Sequence, residues 1–144
     1  MTIDNMMNHL SDIAGIRIIC SYTSDIYQIA EMIAAQGDIT VVHVKDYIKH
    51  PKPNGYKSYH MVVTVPVYLT DGPVETKVEI QIRSVAMDFW ASLEHKIAYK
   101  FEGNAPEGLL HELKDCADVV DMLDKKMFSL NEAITAYAKE QQKL

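Results

Sequence analysis

The segment Lys77-Val78-Glu79-Ile80-Gln81-Ile82-Arg83 alternates polar and apolar side chains without interruption. Successive side chains of a β-strand point to opposite faces of a sheet, so this alternation predicts a strand. One face of the strand is apolar and belongs to a core. The other face carries only charged and hydrogen-bonding groups, and therefore faces either solvent or a binding site.

A basic loop precedes this strand in the sequence. Pro51, Pro53 and the pair Asn54-Gly55 restrict its backbone and permit a positive φ at Gly55. The lysines in or beside the loop are Lys45, Lys49, Lys52 and Lys57, and the one acidic residue among them is Asp46. Because the whole chain has a net charge of −6, this local positive charge predicts a small anionic ligand.

The remaining pattern predicts an α+β fold, with helices flanking a mixed sheet of about four or five strands. The apolar run Ile18–Cys20 is typical of a central strand buried on both faces, and an amphipathic helix follows it. Ile39–Val44 predicts a second strand. Tyr59–Val67 and Val74–Arg83 predict an antiparallel hairpin, and a further helix follows Ser84.

The C-terminal part of the chain has a different pattern. Beyond a break at Gly103–Pro106, apolar residues recur alternately four and three positions apart. They are Leu109, Leu113, Cys116, Val120, Leu123, Met127, Leu130, Ile134 and Tyr137. This heptad spacing predicts a long helix, or a helical pair, with an apolar seam. Two interpretations stay open: the seam packs on the chain's own sheet, or it joins copies of the chain into a homo-oligomer.

Length and composition predict one domain, because 144 residues of which 48% are hydrophobic can build an ordinary core. Within it we expect a core over residues 1–104 and a helical extension over 105–144. The acidic balance argues against nucleic acid as a partner. Cys20 and Cys116 lack metal-ligand spacing and are interpreted as buried thiols. No apolar stretch or signal-peptide region suggests a membrane, so we expect a cytoplasmic protein.

Two carboxylates are candidates for a metal site. Asp12 directly precedes the first predicted strand, and Glu79 lies on the polar face of the last one. If both converge in an anion-binding pocket they suit Mg²⁺, which takes oxygen ligands and keeps several waters. In the alternative, Asp12 caps a turn and Glu79 pairs with Lys77 or Arg83 on a solvated face.

Tyr56 lies between lysines, which makes its ring a candidate for stacking on a nucleotide base. Lys52 and Lys57 could then face the phosphates, and the amides of Asn54 and Gln81 could select the base. In the alternative, Tyr56 only covers a sheet edge. A lone histidine such as His60 is more often structural than catalytic. The sequence contains no GxxxxGK[ST], GxGxxG, GxSxG or HExxH motif, so side-chain lysines and carboxylates remain as phosphate ligands.

Three motifs, in this order, resemble the synthetase domain of RelA/SpoT-type proteins. They are Asp12–Arg17 (DIAGIR), Lys52–His60 (KPNGYKSYH) and Val78–Arg83 (VEIQIR), followed by Trp90–Lys100. The likeness is greatest to the stand-alone small alarmone synthetases. It implies a nucleotidyltransferase-like fold and a Mg²⁺-dependent GTP pyrophosphokinase. Such an enzyme moves the β,γ-pyrophosphate of ATP to the 3′-hydroxyl of GTP or GDP, making the alarmone (p)ppGpp of the stringent response.

The resemblance also implies roles for single residues. Asp12 and Glu79 match catalytic carboxylates that bind Mg²⁺, and Glu79 also matches the group that activates the 3′-hydroxyl. Arg17 matches an arginine at the adenine of ATP. The residues matching the guanine-nucleotide site are Tyr56, which would stack on the base, and Lys45, Lys52, Asn54, His60 and Gln81. Residues 1–104 would form the nucleotide-binding core.

The upstream part of the chain differs from the family's pattern. In the family, a segment rich in arginine and lysine upstream of the Asp12 motif also holds ATP, and here only eleven residues precede Asp12. We therefore expect this chain to bind guanine nucleotide better than ATP and to have little synthetase activity. A non-catalytic guanine-nucleotide sensor that assembles through the helical seam is the alternative. Binding of single-stranded RNA through Tyr56 is disfavoured by the acidic charge.

Overall fold

A computed structural model describes residues 14–101 and 106–143 of the chain. Within these residues the strands are β1 (Ala14–Cys20), β2 (Thr40–Asp46), β3 (Tyr59–Leu69) and β4 (Gly72–Ser84), and the helices are α1 (Thr23–Ala34), α2 (Val85–Lys100) and α3 (Glu107–Gln142). The strands form one sheet in the order β1-β4-β3-β2. β1 runs parallel to β4, and the other neighbours are antiparallel. The predicted α+β fold with a mixed sheet is confirmed.

The alternation in β4 separates a core face from a polar face, as its sequence predicts. Val78, Ile80 and Ile82 are all buried. β3 places the buried Met61 directly opposite Ile80. Helix α1 contributes Ile26, which is completely inaccessible to solvent. Burying each such side chain stabilises the fold by about 1.5–3 kcal/mol. Because side chains alternate along a strand, burial of these apolar residues keeps the polar residues between them on the opposite face of β4.

The predicted place of β1 in the sheet is wrong. The run Ile18–Cys20 forms a strand, but within the described residues β1 lies at the edge of the sheet and pairs only with β4. Ile16 is 52% exposed and Ile19 is 42% exposed, so the strand is not buried on both faces. β-Branched side chains favour an extended backbone at an edge as well as in the centre, so the run predicts the strand and not its position.

The described chain divides into two compact units. One unit contains the sheet and helix α1. The other contains helix α3 and all of helix α2 but its first residue, together with residues 53–56 from the basic loop. The predicted division into 1–104 and 105–144 stays a prediction. The four loop residues are joined to strand residues in sequence but are packed with the helices, which could not be read from their sequence.

The helical unit has its own small core. Trp90 and Ala91 of α2 are buried together with Leu113 and Ala117 of α3, and Tyr56 packs against this cluster. The indole Nε1 of Trp90 donates a hydrogen bond of 3.0 Å to the backbone oxygen of Leu113. Since a buried indole N–H without an acceptor is costly, this bond helps to fix α2 against α3.

Helix α3 is a single helix of 36 residues. Its seam is buried at Leu113, but its later members are exposed by 49–67%; these are Leu123, Met127, Leu130, Ile134 and Tyr137. Cys116 is also exposed, so the prediction that it is a buried thiol is wrong. The reason is that most of the seam has no covering element within the described residues. No described helix is both long enough and apolar enough to cross a membrane.

Candidate active site

A row of polar side chains crosses the face of the sheet opposite α1. Arg17 of β1 pairs with Gln81 of β4, Gln81 pairs with His60 of β3, and His60 pairs with Lys45 of β2. Side chains of directly paired residues lie on the same face of a sheet. The sheet thus brings together four residues that are separated by up to 64 positions in the sequence.

The register of β2 depends on an irregularity in its pairing with β3. Val41 pairs with Val63 and His43 pairs with Val62, so Val42 is an extra residue in β2. A β-bulge of this kind shifts every later side chain of the strand by one position relative to its neighbour. Lys45 lies opposite His60 only because of this shift, which the sequence pattern did not reveal.

Glu79 lies on the same face of β4 as Gln81, two residues earlier. Its Oε1 accepts a hydrogen bond of 3.0 Å from Gln81 Nε2 and lies 3.6 Å from His60 Nδ1. An open pocket of about 260 Å³ is lined by Gly15, Ile16, Arg17, Glu79 and Gln81. The predicted carboxylate therefore lines a cavity, and the alternative in which Glu79 pairs with Lys77 or Arg83 on a solvated face is not needed to explain its position.

Arg83 lies at the far end of this arrangement, and the sequence offered it only as a possible partner of Glu79. Its side chain is buried; Nη2 donates to Gln81 Oε1 over 3.1 Å, and Nε donates to Ser58 Oγ over 3.3 Å. A guanidinium can only donate and an ionised carboxylate can only accept. The Gln81 amide between them is therefore fixed, with its oxygen towards Arg83 and its nitrogen towards Glu79.

The environment of His60 favours the uncharged form of its imidazole. Burial lowers its pKa, the nearby cations Arg83, Lys52 and Lys45 lower it further, and Glu79 opposes the shift. Its ring also packs edge-on against Tyr47, with 5.1 Å between ring centroids. Because an uncharged imidazole can both donate and accept a hydrogen bond, His60 can serve as a polar contact without adding positive charge.

The one carboxylate among the lysines of the basic loop, Asp46, accepts several hydrogen bonds. Asp46 Oδ2 accepts from the Tyr27 hydroxyl over 2.8 Å. Its Oδ1 accepts from the backbone nitrogens of Ile48 and Lys49 over 2.9 and 3.0 Å. Burial and the contact with Asp46 raise the pKa of Tyr27, so the hydroxyl stays a donor. Asp46 thus folds the start of the loop and anchors it to α1.

Lys52 ends the part of the loop that belongs to the sheet unit. Its Nζ lies 5.0 Å from the centre of the Tyr47 ring, a distance at which an ammonium is attracted to an aromatic face. Tyr47 also contacts His60. Lys52 and His60, which the sequence assigned to the same ligand, are therefore linked through one aromatic ring.

Asn54 and Tyr56 belong to the helical unit. Gly55 between them has φ of +97°, which confirms the predicted positive φ. The Asn54 side-chain oxygen accepts from the backbone nitrogen of Tyr56 over 3.0 Å. The Tyr56 ring is half-buried, 6.5 Å from the Trp90 ring with 56° between the planes. Helix α2 therefore supports the Tyr56 ring, and its predicted stacking on a base stays a prediction.

Asp12 lies outside the described residues, so its predicted approach to Glu79 stays a prediction. Sequence reasoning did not predict the hydrogen bonds of Arg83 or the contacts of Ser58, Trp90 and Ala117. For Arg83 a signal was present, since Glu79, Gln81 and Arg83 alternate along one strand face. For the other three, the positions follow from tertiary packing and no local pattern marks them.

The chain is similar in sequence to known proteins over most of its length. The family described as the region found in RelA/SpoT proteins matches residues 2–104. The GTP pyrophosphokinase YwaC of Bacillus subtilis is 48% identical over 134 residues, which make up 93% of this chain and 64% of YwaC. The chain thus spans less than two thirds of that relative.

Two solved structures from Bacillus subtilis share both the fold and much of the sequence. Small alarmone synthetase 2 matches with a TM-score of 0.82 and 45% identity, covering 92% of this chain and 77% of that one. Small alarmone synthetase 1, bound to its product pppGpp, matches with a TM-score of 0.83 and 40% identity, covering 90% and 67%.

Proposed function

Because the chain belongs to the RelA/SpoT family, we propose that it acts as a GTP pyrophosphokinase. This enzyme transfers the β,γ-pyrophosphate of ATP to the 3′-hydroxyl of GTP or GDP and so makes (p)ppGpp. The observation that carries the proposal is the placement of Glu79. Its carboxylate lines a pocket together with Arg17, and the same sheet face carries His60 and Lys45.

The chemistry of this transfer suits such a surface. The 3′-oxygen forms a bond to the β-phosphorus of ATP, the bond from that phosphorus to the α-phosphate oxygen breaks, and AMP leaves. The proton of the hydroxyl passes to a base, which we assign to Glu79. The protein mainly has to position two charged nucleotides in line and neutralise their charge. Side chains on paired strands are held rigidly enough for that task.

Glu79 also fits a magnesium site. A carboxylate has about four lone-pair positions, and the hydrogen bond from Gln81 uses only one oxygen of Glu79. Mg²⁺ is commonly held by one or two carboxylates together with substrate phosphates and waters. We propose that Glu79 and Asp12 hold this ion. When bound, it neutralises phosphate charge during the transfer.

The two nucleotides are assigned to different residues. We place the adenine of ATP at Arg17, which lines the same pocket as Glu79. The guanine nucleotide is assigned to Tyr56 and Asn54 for the base, and to Lys45, Lys52 and His60 on the sheet unit. Gln81 completes this set, because its amide nitrogen has two hydrogens and the bond to Glu79 uses one of them.

Glu79→Gln tests the assignment most directly, because the amide keeps the size of the side chain but loses its charge and basicity. Glu75→Gln is the matched control, since Glu75 is an exposed residue of the same strand outside the pocket. With the full product of the gene, ATP, GDP and Mg²⁺, we expect the control to form ppGpp normally. Glu79→Gln should lower transfer at least about a hundredfold, with GDP affinity within threefold of the unchanged protein by calorimetry.

A non-catalytic guanine-nucleotide sensor is the second candidate, favoured by the exposed seam of α3. Transfer activity separates the two functions. If the protein binds GDP but forms no ppGpp, the sensor is correct and the enzyme is not. If Glu79→Gln retains transfer, Glu79 has no part in the reaction.

We also propose that copies of the chain associate through the exposed seam of α3, because a row of large apolar side chains that none of the described residues covers is typical of a contact surface. The substrates proposed here are cytoplasmic nucleotides, which supports a cytoplasmic location. The acidic net charge of −6 argues against nucleic acid as a further partner.

A further inference from the structure

The loop that carries Tyr56 approaches helix α3 more closely than a side chain would allow. A Cβ atom placed on Gly55 would lie 2.5 Å from Ala117 Cβ and 3.4 Å from the Cα of Lys114. Gly55 also has φ of +97°, a backbone conformation that residues with a Cβ atom rarely adopt. The loop backbone therefore rests directly on α3, and it can do so only because residue 55 is glycine and residue 117 is small.

The ring of Tyr56 is supported from the same side. It packs 6.5 Å from the ring of Trp90, and Trp90 is fixed to α3 by its hydrogen bond to Leu113. Ala117 is itself buried in this cluster. The backbone before Tyr56 is thus fixed by Ala117, and the side chain of Tyr56 is fixed by Trp90.

We propose that Ala117 is a positioning residue for guanine recognition. Through Gly55 it sets the position of Tyr56, and Trp90 sets the tilt of the ring on which the base stacks. This inference rests on the proposed function, since Ala117 acts through the residue assigned to the base. A ring that is already immobilised loses little freedom when a base stacks on it, which favours binding.

The first test enlarges residue 117. Ala117→Leu pushes the loop away from α3, and Ala136→Leu makes the same change at an exposed position of the same helix. We expect Ala117→Leu to weaken GDP binding by roughly tenfold, within the range that loss of base stacking produces. The KM for GDP should rise with kcat unchanged, because only binding of the base is disturbed. Ala136→Leu should behave like the unchanged protein.

Trp90 supplies a signal that reports on this contact alone, since it is the one tryptophan of the chain. GDP binding at Tyr56 should change the fluorescence of Trp90 in the unchanged protein and in Ala136→Leu. Ala117→Leu and Tyr56→Ala should both reduce this change at saturating GDP. A purely structural role for Ala117 would alter melting temperature without removing the signal.

A second pair of variants keeps the test decisive if leucine prevents folding. Gly55→Ala introduces the clash from the other side, and we expect it to weaken GDP binding. In Gly55→Ala with Ala117→Gly the clashing methyl group is absent, so part of the lost GDP affinity should return. Glycine alone destabilises a helix, so recovery in the double variant cannot come from general stabilisation.

The outcomes separate this inference from the proposed function. Normal GDP affinity in both Ala117→Leu and Gly55→Ala, or no recovery in the double variant, would overturn the role of Ala117 and leave the enzyme assignment intact. Failure of the unchanged protein to bind GDP would overturn the proposed function, and the inference with it. Normal GDP binding by Tyr56→Ala would overturn the stacking of the base on Tyr56, and with it the role of Ala117 in positioning that ring.

Discussion

At the scale of single residues, the candidate site depends on a chain of hydrogen bonds from Ser58 through Arg83 and Gln81 to Glu79. Glu79 was predicted from the alternation of its strand, and so was the presence of Gln81 and Arg83 on the same face. Their mutual bonds were not predicted, because which of several neighbouring polar groups pair depends on burial. Arg83 is only 5% exposed, which no local pattern indicates.

His60 gives a prediction about stability and pH. Burial and neighbouring cations lower its pKa in the folded protein below the usual value of 6.5. As the pH falls below 6.5, the unfolded chain takes up a proton that the folded protein does not, so the free energy of unfolding decreases. His60→Gln removes this contribution. We therefore expect a smaller loss of stability between pH 7 and pH 5 in the variant, measured by urea unfolding at each pH.

The control for this experiment is His43→Gln, because His43 is an exposed histidine of the sheet unit, on β2. Its loss of stability over the same pH range should match that of the unchanged protein more closely than His60→Gln does. Identical pH profiles for the unchanged protein and His60→Gln would show that burial of His60 has no energetic consequence.

At the scale of secondary-structure elements, sequence periodicity predicted whether a segment is a strand or a helix better than it predicted the position of a strand in the sheet. The alternation in β4 and the heptads in α3 are long, and both elements were predicted correctly. β1 was predicted as a central strand, and in the part of the chain that the structure describes it lies at the edge of the sheet. Three apolar residues in a row establish an extended backbone, but the number of neighbours a strand has depends on the whole topology.

The exposed seam of α3 leads to a prediction about assembly. Leu130 is 49% exposed and Ile134 is 67% exposed, and burial of each between two copies of the chain would contribute about 1.5–3 kcal/mol. Leu130→Glu or Ile134→Glu would place a charge in that contact. We expect the unchanged protein to sediment as an oligomer at micromolar concentration and both variants to sediment as smaller species.

Ala136→Glu is the control, since it adds the same charge at an exposed alanine outside the seam. It should leave the sedimentation coefficient unchanged. A monomeric unchanged protein across the concentration range would refute association through α3. Unaltered oligomers in both seam variants would place the contact on a different surface.

At the scale of the whole molecule, residues that pack together are not always neighbours in the sequence. A cut near residue 104 was expected from the change in periodicity. That division stays a prediction. Of the two compact units, the sheet unit ends at residue 85, the helical unit continues from residue 86, and residues 53–56 also belong to the helical unit. A loop residue such as Gly55 is assigned by its contact with Ala117, and contacts between distant residues are what a single sequence does not contain.

The distribution of charge over the molecule yields the last prediction. The net charge is −6, yet the cations Lys45 and Arg17 share one face of the sheet. Such a surface attracts a compact polyanion, because a small ligand interacts mainly with the cations next to it. It repels a long polyanion, because a polymer also interacts with the negative charge of the rest of the protein.

GDP with Mg²⁺ at a hundred times its Kd should therefore stabilise the folded protein by about 2.7 kcal/mol. A single-stranded RNA of ten nucleotides at the same concentration should not raise the melting temperature at 150 mM salt. Equal stabilisation by both ligands would mean that the sheet face binds phosphates without regard to the rest of the molecule, and the assignment of a nucleotide site would lose its support.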